Sequence, residues 1–328
     1  IEGCDKFSRC AARVTLCSRS STSRVRSKFK SSLLILIIAI PRIYSIHFYY
    51  IQPRPILLRL SLTRNKKKMN ILIVFAHPEA RSLNGSLKDF ALAHLQKNGH
   101  NVQVSDLYAM HWKAQIDADD STASPVSDRF DASADSQYAY AHGTQRPDIA
   151  AEQEKLRWAD AVIFQFPLWW CSMPAIMKGW FDRVYAYGFA SGGGEHSDTH
   201  WGDRYGEGSM TGKRAMLLVT TGGWGSHYSA RGINGPIEDI LFPIQHGMLH
   251  YPGFTVVPPM VIYRASRTDE ARFRTYCTAL AERLDTLWDT PPVPYRQQNG
   301  GDYAIPALTL KEELAPGETG FGIHLRRD

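Results

Sequence analysis

Between positions 161 and 187 the spacing of apolar residues changes from that of a strand to that of a helix within about one turn of chain. Residues 161–166 are a nearly unbroken run of apolar, β-branched and aromatic side chains, which predicts a strand covered on both faces, as in a parallel sheet. Pro167 ends that strand, and residues 168–172 form a short loop that carries Trp169, Trp170 and Cys171. Pro174 suits the first turn of a helix running through Tyr185.

The same alternation repeats on either side. A first strand at 71–75 leads into a helix with Leu87, Phe90 and Leu95 on its apolar face and Ser82 as its N-cap. A second strand covers 102–104 and ends near Asp106, and a helix at 149–158 feeds the strand at 161–166. A fourth strand is predicted at 213–221, a helix at 236–250, a fifth strand at 253–263 and a last helix at 268–288. Residues 107–146 are polar and irregular, a length of crossover that serves function or moves. Five strands with interleaved helices predict an α/β fold: a flavodoxin-like, doubly wound, five-stranded parallel sheet with helices on both faces. In such sheets ligands sit at the carboxyl ends of the strands, which here means the loops after the first, third and fourth.

Charge divides the chain into unlike parts. Residues 1–68 carry a net charge of +13 and the remainder −7, so the overall +6 does not describe the domain, and a nucleic-acid partner is not expected. The head, 1–68, is rich in Ser and Arg, and its first Met is Met69, directly before the first strand. It is read as upstream sequence carried along by translation or cloning, with a targeting segment as the second reading. Its apolar patch, 33–40, is too short for a membrane span, which needs about 20 residues. The expected organisation is therefore a 1–68 head, a 69–290 catalytic domain and a 291–328 tail that holds Pro and Gly without periodicity. Only Cys171 and Cys277 lie beyond the head, which fits a reducing, cytoplasmic compartment.

The candidate chemistry sits in the three loops. Two adjacent tryptophans at a strand's carboxyl end expose much apolar surface unless they cover something flat; the plainer reading puts one in the core and one over a helix. The first turn after Ser82 offers free amides that can hold a phosphate, although Ser82 alone is also an ordinary cap. The 222–228 turn is dense enough in glycine to bring backbone amides against a ligand. His196 and His200 with Glu195, Asp198 and Asp203 raise the question of a metal, but two histidines four apart converge only on a helix, and this glycine-rich loop does not predict one. No metal is expected. A P-loop and a G-x-G-x-x-G turn are both absent, which leaves nucleotide hydrolysis and a Rossmann fingerprint without support.

Several blocks together resemble the flavodoxin-like NAD(P)H:quinone oxidoreductase family, the DT-diaphorase group. They are Ala76-His77-Pro78 with Ser82 and Asn84, the run Phe164 to Leu168 with Trp170, the run Pro174 to Trp180, Thr220 to Gly223 with Tyr228, and Phe242 to Gln245. The resemblance implies a homodimer with FAD, rather than FMN, at each interface site, and two-electron reduction of a quinone-like acceptor by NADPH or NADH. It implies that His77, Ser82, Leu83, Asn84 and Ser86 lie along the diphosphate and ribityl chain. Pro167, Leu168, Trp169, Trp170 and Cys171 would line the isoalloxazine, and Thr220, Thr221, Gly222, Gly223 and Tyr228 would reach its polar edge. Arg272 falls at the family's arginine near the adenine. Tyr228, Asn234 and Gly222 are the implied catalytic positions.

Three departures stand out. Asn234 replaces a histidine of the mammalian enzymes and cannot gain a proton near neutral pH. Ser191 and Gly193 replace two pocket tyrosines, and Cys171 replaces an aromatic residue. Other flavodoxin-like proteins serve as ancillary subunits of potassium-efflux systems or as electron carriers, and the long 107–146 and 188–212 segments favour the enzyme over these.

Overall fold

The computed structural model describes residues 67–327. The reading of the 1–68 head lies outside them, apart from its last two positions. Chain order gives β1 (Asn70–Phe75), α1 (Leu83–Lys97), β2 (Asn101–Asp106), α2 (Ala132–His142), α3 (Pro147–Trp158), β3 (Ala161–Pro167), α4 (Ala175–Val184) and β4 (Arg214–Thr220). Then come α5 (Ile237–Ile244), β5 (Thr255–Val256), β6 (Met260–Ile262) and α6 (Glu270–Asp285), with a small hairpin of β7 (Tyr303–Ala304) and β8 (Thr309–Leu310) near the end.

The sheet is parallel in the order β2-β1-β3-β4-β5, and β6 also pairs with β4. All seven residues of β3 are buried, as expected for the centre of a sheet sandwiched between helices. One face packs under Leu72, Val162, Phe164 and Leu217 against Trp180, Phe181 and Leu241, and the other under Ile71, Ile163 and Met216 against Leu87, Leu280 and Leu284.

Two elements depart from the sequence expectation. The fifth strand is two short pieces, because Pro258 and Pro259 lack the N–H that a continuous ladder requires. Helix α2 was not expected inside 107–146. Its apolar periodicity is negligible, and it is set instead by its ends, with Asp131 accepting from the amides of Ser133 and Ala134 and Gly143 closing it in the left-handed region. Arg183, on α4, fastens this segment by donating to Asp120 (2.9 Å) and Asp148 (2.8 Å) while lying 4.6 Å over the Trp112 ring.

The 291–327 tail has no periodic face, yet backbone and ring contacts hold it down. Val293 N donates to Val256 O, and within the tail Arg296 pairs with Asp302 at 2.8 Å. Phe321 stacks on Phe242 at 4.3 Å. Below that stack His246 is enclosed by Tyr205, Phe242, Tyr295, His250 and His324. Burial, with His250 and His324 adding to it, lowers its pKa from 6.5 to about 3. Above its ordinary value the folded and unfolded chains both hold His246 neutral; between 6.5 and about 3 only the unfolded chain takes the proton, so stability falls with pH across that window. The thermal midpoint is therefore expected to fall between about pH 7 and about pH 4, and to fall less steeply in His246→Phe. Equal slopes in parent and variant would remove His246 from the account.

Candidate active site

Three loops leave the carboxyl ends of β1, β3 and β4, which are neighbours in the sheet, and so meet at one edge. After β1, Ser82 caps α1 by accepting from Gly85 N at 3.1 Å, and the first-turn amides of Leu83 and Asn84 have no acceptor within the helix. A Cβ on Gly85 would stand 1.8 Å from the Ala80 carbonyl oxygen, so only glycine lets the helix begin this close to its loop. Gly85→Ala is expected to destabilise the fold by about 1–3 kcal/mol through overpacking and to loosen the 77–82 loop. Denaturant midpoints check this, with Gly247→Ala as the control, because nothing lies within 4 Å of a Cβ there.

Asn84, Gln165 and Thr220 tie the three strand ends together. Gln165 Nε2 donates to the Asn84 carbonyl at 2.6 Å, and Asn84 Nδ2 donates to Thr220 Oγ1 at 2.8 Å. Asn84 Oδ1 and Gln165 Oε1 are buried acceptors without a donor among the described residues. Gln165 was quoted in the sequence only as part of a resembling block; the signal was a lone amide inside an otherwise apolar strand.

The β3 loop is a tight reversal. Trp169 N donates to Ser172 O and Ser172 N to Trp169 O, and the two residues between, Trp170 and Cys171, take φ of 51° and 59°. Positive φ at both central positions is the geometry of a type I′ turn, which ordinarily recruits Asn-Gly and costs larger residues on the order of 1 kcal/mol each. This turn holds the Trp170 indole wholly in the open, at 100% exposure, and leaves the Cys171 thiol exposed beside it. Trp169 is 41% exposed and tilts against the His77 ring at 6.0 Å. Neither tryptophan faces the core, which corrects the plainer reading of the pair.

After β4, Thr221 Oγ1 and Tyr228 OH share a hydrogen bond of 2.7 Å, and a Cβ on Gly223 would meet the Tyr228 ring at 2.8 Å. Nothing lies within 4 Å of the Gly222 position, so its backbone faces open space. The loop is braced from β6 by Arg264, whose N donates to Gly223 O and whose guanidinium lies 3.8 Å over the Trp224 ring. Tyr263 packs 5.8 Å from Tyr228; burial, with Glu238 and Tyr228 beside it, raises its phenol, so it stays protonated.

Of the other expected positions, Ser86 spends its amide on Ser82 O, and Leu168 N donates to Thr220 O, extending the sheet by one bond. Arg272 lies in the first turn of α6, where Nη1 donates to Arg267 O at 2.9 Å. Asn234 is exposed, its amide bonds His227 O at 3.0 Å, and its side chain has no hydrogen bond among the described residues. The edge thus offers an uncovered indole, free helix-start amides and a paired phenol, a set that suits a flat, anionic, ring-bearing ligand.

A family model described as flavodoxin-like fold matches residues 69–284. A ribosyldihydronicotinamide dehydrogenase-like protein of Penicillium crustosum is 56% identical over 264 residues, covering 79% of this chain and 97% of that protein. NAD(P)H dehydrogenase [quinone] 1 of Rattus norvegicus is 40% identical over 245 residues, covering 74% of this chain and 86% of the relative. The chain belongs to the flavodoxin-like NAD(P)H:quinone oxidoreductase family. A crystal structure from Klebsiella pneumoniae, assigned as a quinone reductase, superposes on this family member with a TM-score of 0.78 at 68% identity, covering 79% of this chain and all of that one. A potassium-efflux ancillary protein of Yersinia enterocolitica matches at only 30% identity, so the efflux reading is the weaker one. Among the described residues no helix is long and apolar enough to cross a membrane.

Proposed function

We propose that this chain is an FAD-dependent NAD(P)H:quinone oxidoreductase that works as a cytoplasmic homodimer. The observation that carries the reading is Trp170, held fully exposed by a strained turn between helix-start amides and the Thr221–Tyr228 pair. FAD bound at this edge would supply the ring that takes a hydride from NADPH or NADH and passes two electrons to a quinone. Trp170, with Leu168 and Trp169, gives that ring a wall. The amides after Ser82 suit a diphosphate, and Arg272 stands where the family keeps an arginine near the adenine, which supports FAD over FMN. Tyr228 and the backbone amide of Gly222 are donors for the charge that builds up on reduction, with the Gly223 amide, now 3.4 Å from Thr221 Oγ1, beside them, and fixed donors need no reorganisation. The exposed Trp169, Trp170, Trp224 and Ile233 support a second subunit that completes the site.

The test is direct. Flavin released from the purified protein is identified by chromatography and mass, the oligomer by light scattering, and turnover by NAD(P)H oxidation with a quinone acceptor. FAD, a dimer and quinone-dependent oxidation are expected. A flavin-free protein, or a flavoprotein that oxidises NAD(P)H no faster with quinone than without, overturns the reading.

A further inference from the structure

We propose that His200, Asp203 and Glu207 form a binding site for one first-row divalent cation, with zinc(II) as the probe, that stiffens the 200–207 stretch of the 188–212 loop. In the sequence, His196 and His200 with Asp203 nearby raise the question of a metal, and none is expected there. Folding instead gathers His200 with two carboxylates, and one ligand atom from each of the three lies within 4.8 Å of the others. Ligands about 2.0–2.2 Å from a zinc ion stand roughly 3 to 4.4 Å apart, so the trio needs only small side-chain adjustments to close on a metal.

Charge argues the same way. Asp203 has no ion pair except with His200, and Glu207 has none with Lys or Arg among the described residues. Two half-buried carboxylates that meet no Lys or Arg, beside an imidazole nitrogen, make a donor set that suits a divalent cation. What meets them now is the Asn299 amide. Its Nδ2 faces Glu207 Oε2 at 2.7 Å, the Gly202 carbonyl at 3.0 Å and His200 Nε2 at 3.5 Å. Glu207 Oε2 and the Gly202 carbonyl take the two amide hydrogens, and His200 Nε2 lies at the edge of that contact. His200 Nε2 stands 2.9 Å from Asp203 Oδ1, so in the metal-free site it donates there. On metal binding that proton moves to Nδ1 and Nε2 becomes the ligand.

The consequence is a stiffened loop, because the three ligands lie within eight residues of one another. Gln298, buried next door, donates through Nε2 to Trp201 O at 2.7 Å and accepts from Arg204 Nε at 2.9 Å, so the turn at 298–299 already grips the loop on the trio's flank. The same loop carries Ser191 and Gly193, the positions that the family resemblance puts in the acceptor pocket. The metal site itself does not rest on the quinone-reductase reading.

The full-length protein is stripped with chelator, exchanged into buffer at about pH 7.5 and titrated with zinc by calorimetry. Hydrogen exchange of 193–208 and 296–301 is followed in parallel. The parent is expected to bind one equivalent, with exchange slowed in 193–208. Asp203→Asn/Glu207→Gln should bind at least about tenfold more weakly, the scale on which even ligand-supporting groups act, and should lose the exchange effect. This variant leaves the His246, His250 and His324 group intact, so zinc held there would persist in both proteins. If the double variant melts early without zinc, His200→Gln serves in its place. Identical titrations in parent and variants, or zinc binding that leaves 193–208 exchanging as before, would overturn the site.

Discussion

Trp170→Ala is expected to weaken flavin retention by about 1–3 kcal/mol, roughly 5- to 150-fold in Kd, the scale of losing one large stacking surface. The indole makes no core contact in the described structure and is completely exposed, so its removal takes away a ligand wall without opening a cavity. The backbone separates this effect from folding. At φ 51° a Trp170→Gly change relieves left-handed strain, so that variant should hold or raise the thermal midpoint of the apoprotein while still losing flavin. Trp169→Ala should also weaken retention, by less, because that ring is half covered and leans on His77. Flavin titrations of apoprotein with fluorescence quenching measure all three. Equal flavin affinity in Trp170→Ala and the parent would remove Trp170 from the site.

Tyr228→Phe should slow reduction of the bound flavin by NADPH or NADH on the order of 10²-fold, the usual loss for one fixed donor that faces developing charge. The phenyl ring keeps its contact with Tyr263 and its fit against Gly223, and only the hydroxyl that meets Thr221 Oγ1 at 2.7 Å disappears. Asn234→His is expected to change the rate only mildly, because that side chain is exposed and holds nothing among the described residues. Stopped-flow bleaching of the flavin band in parent and both variants decides it. Should Asn234→His turn a nearly inactive parent into a fast enzyme, the natural chain would be a regulatory flavin-binding relative, and the catalytic proposal would fall.

Strand and helix order could be read without coordinates wherever burial on both faces forces a continuous apolar run, as in β1, β3 and β4, or where a cap has one dominant donor geometry, as at Ser82. These signals are local, since they depend on residues within one turn or one strand of each other. Helix α2 lacked such a signal because its ends, not an apolar face, hold it. The break at Pro258 and Pro259 is local too, and the missing N–H could have been counted in advance.

The site divides along the same line. Apolar and glycine-rich loops at strand ends marked where a ligand belongs, and the family blocks marked which residues would meet it. That Trp170 stands clear of the core depends on two consecutive left-handed residues, a conformation that side-chain identity disfavours and only the closed 169–172 reversal enforces. The bridge from Gln165 through Asn84 to Thr220 joins positions up to 136 apart in the chain, and the His200, Asp203, Glu207 and Asn299 cluster joins positions nearly 100 apart. Contacts of that range leave no periodic trace in a sequence, because their partners are chosen by how the elements pack and not by their spacing along the chain.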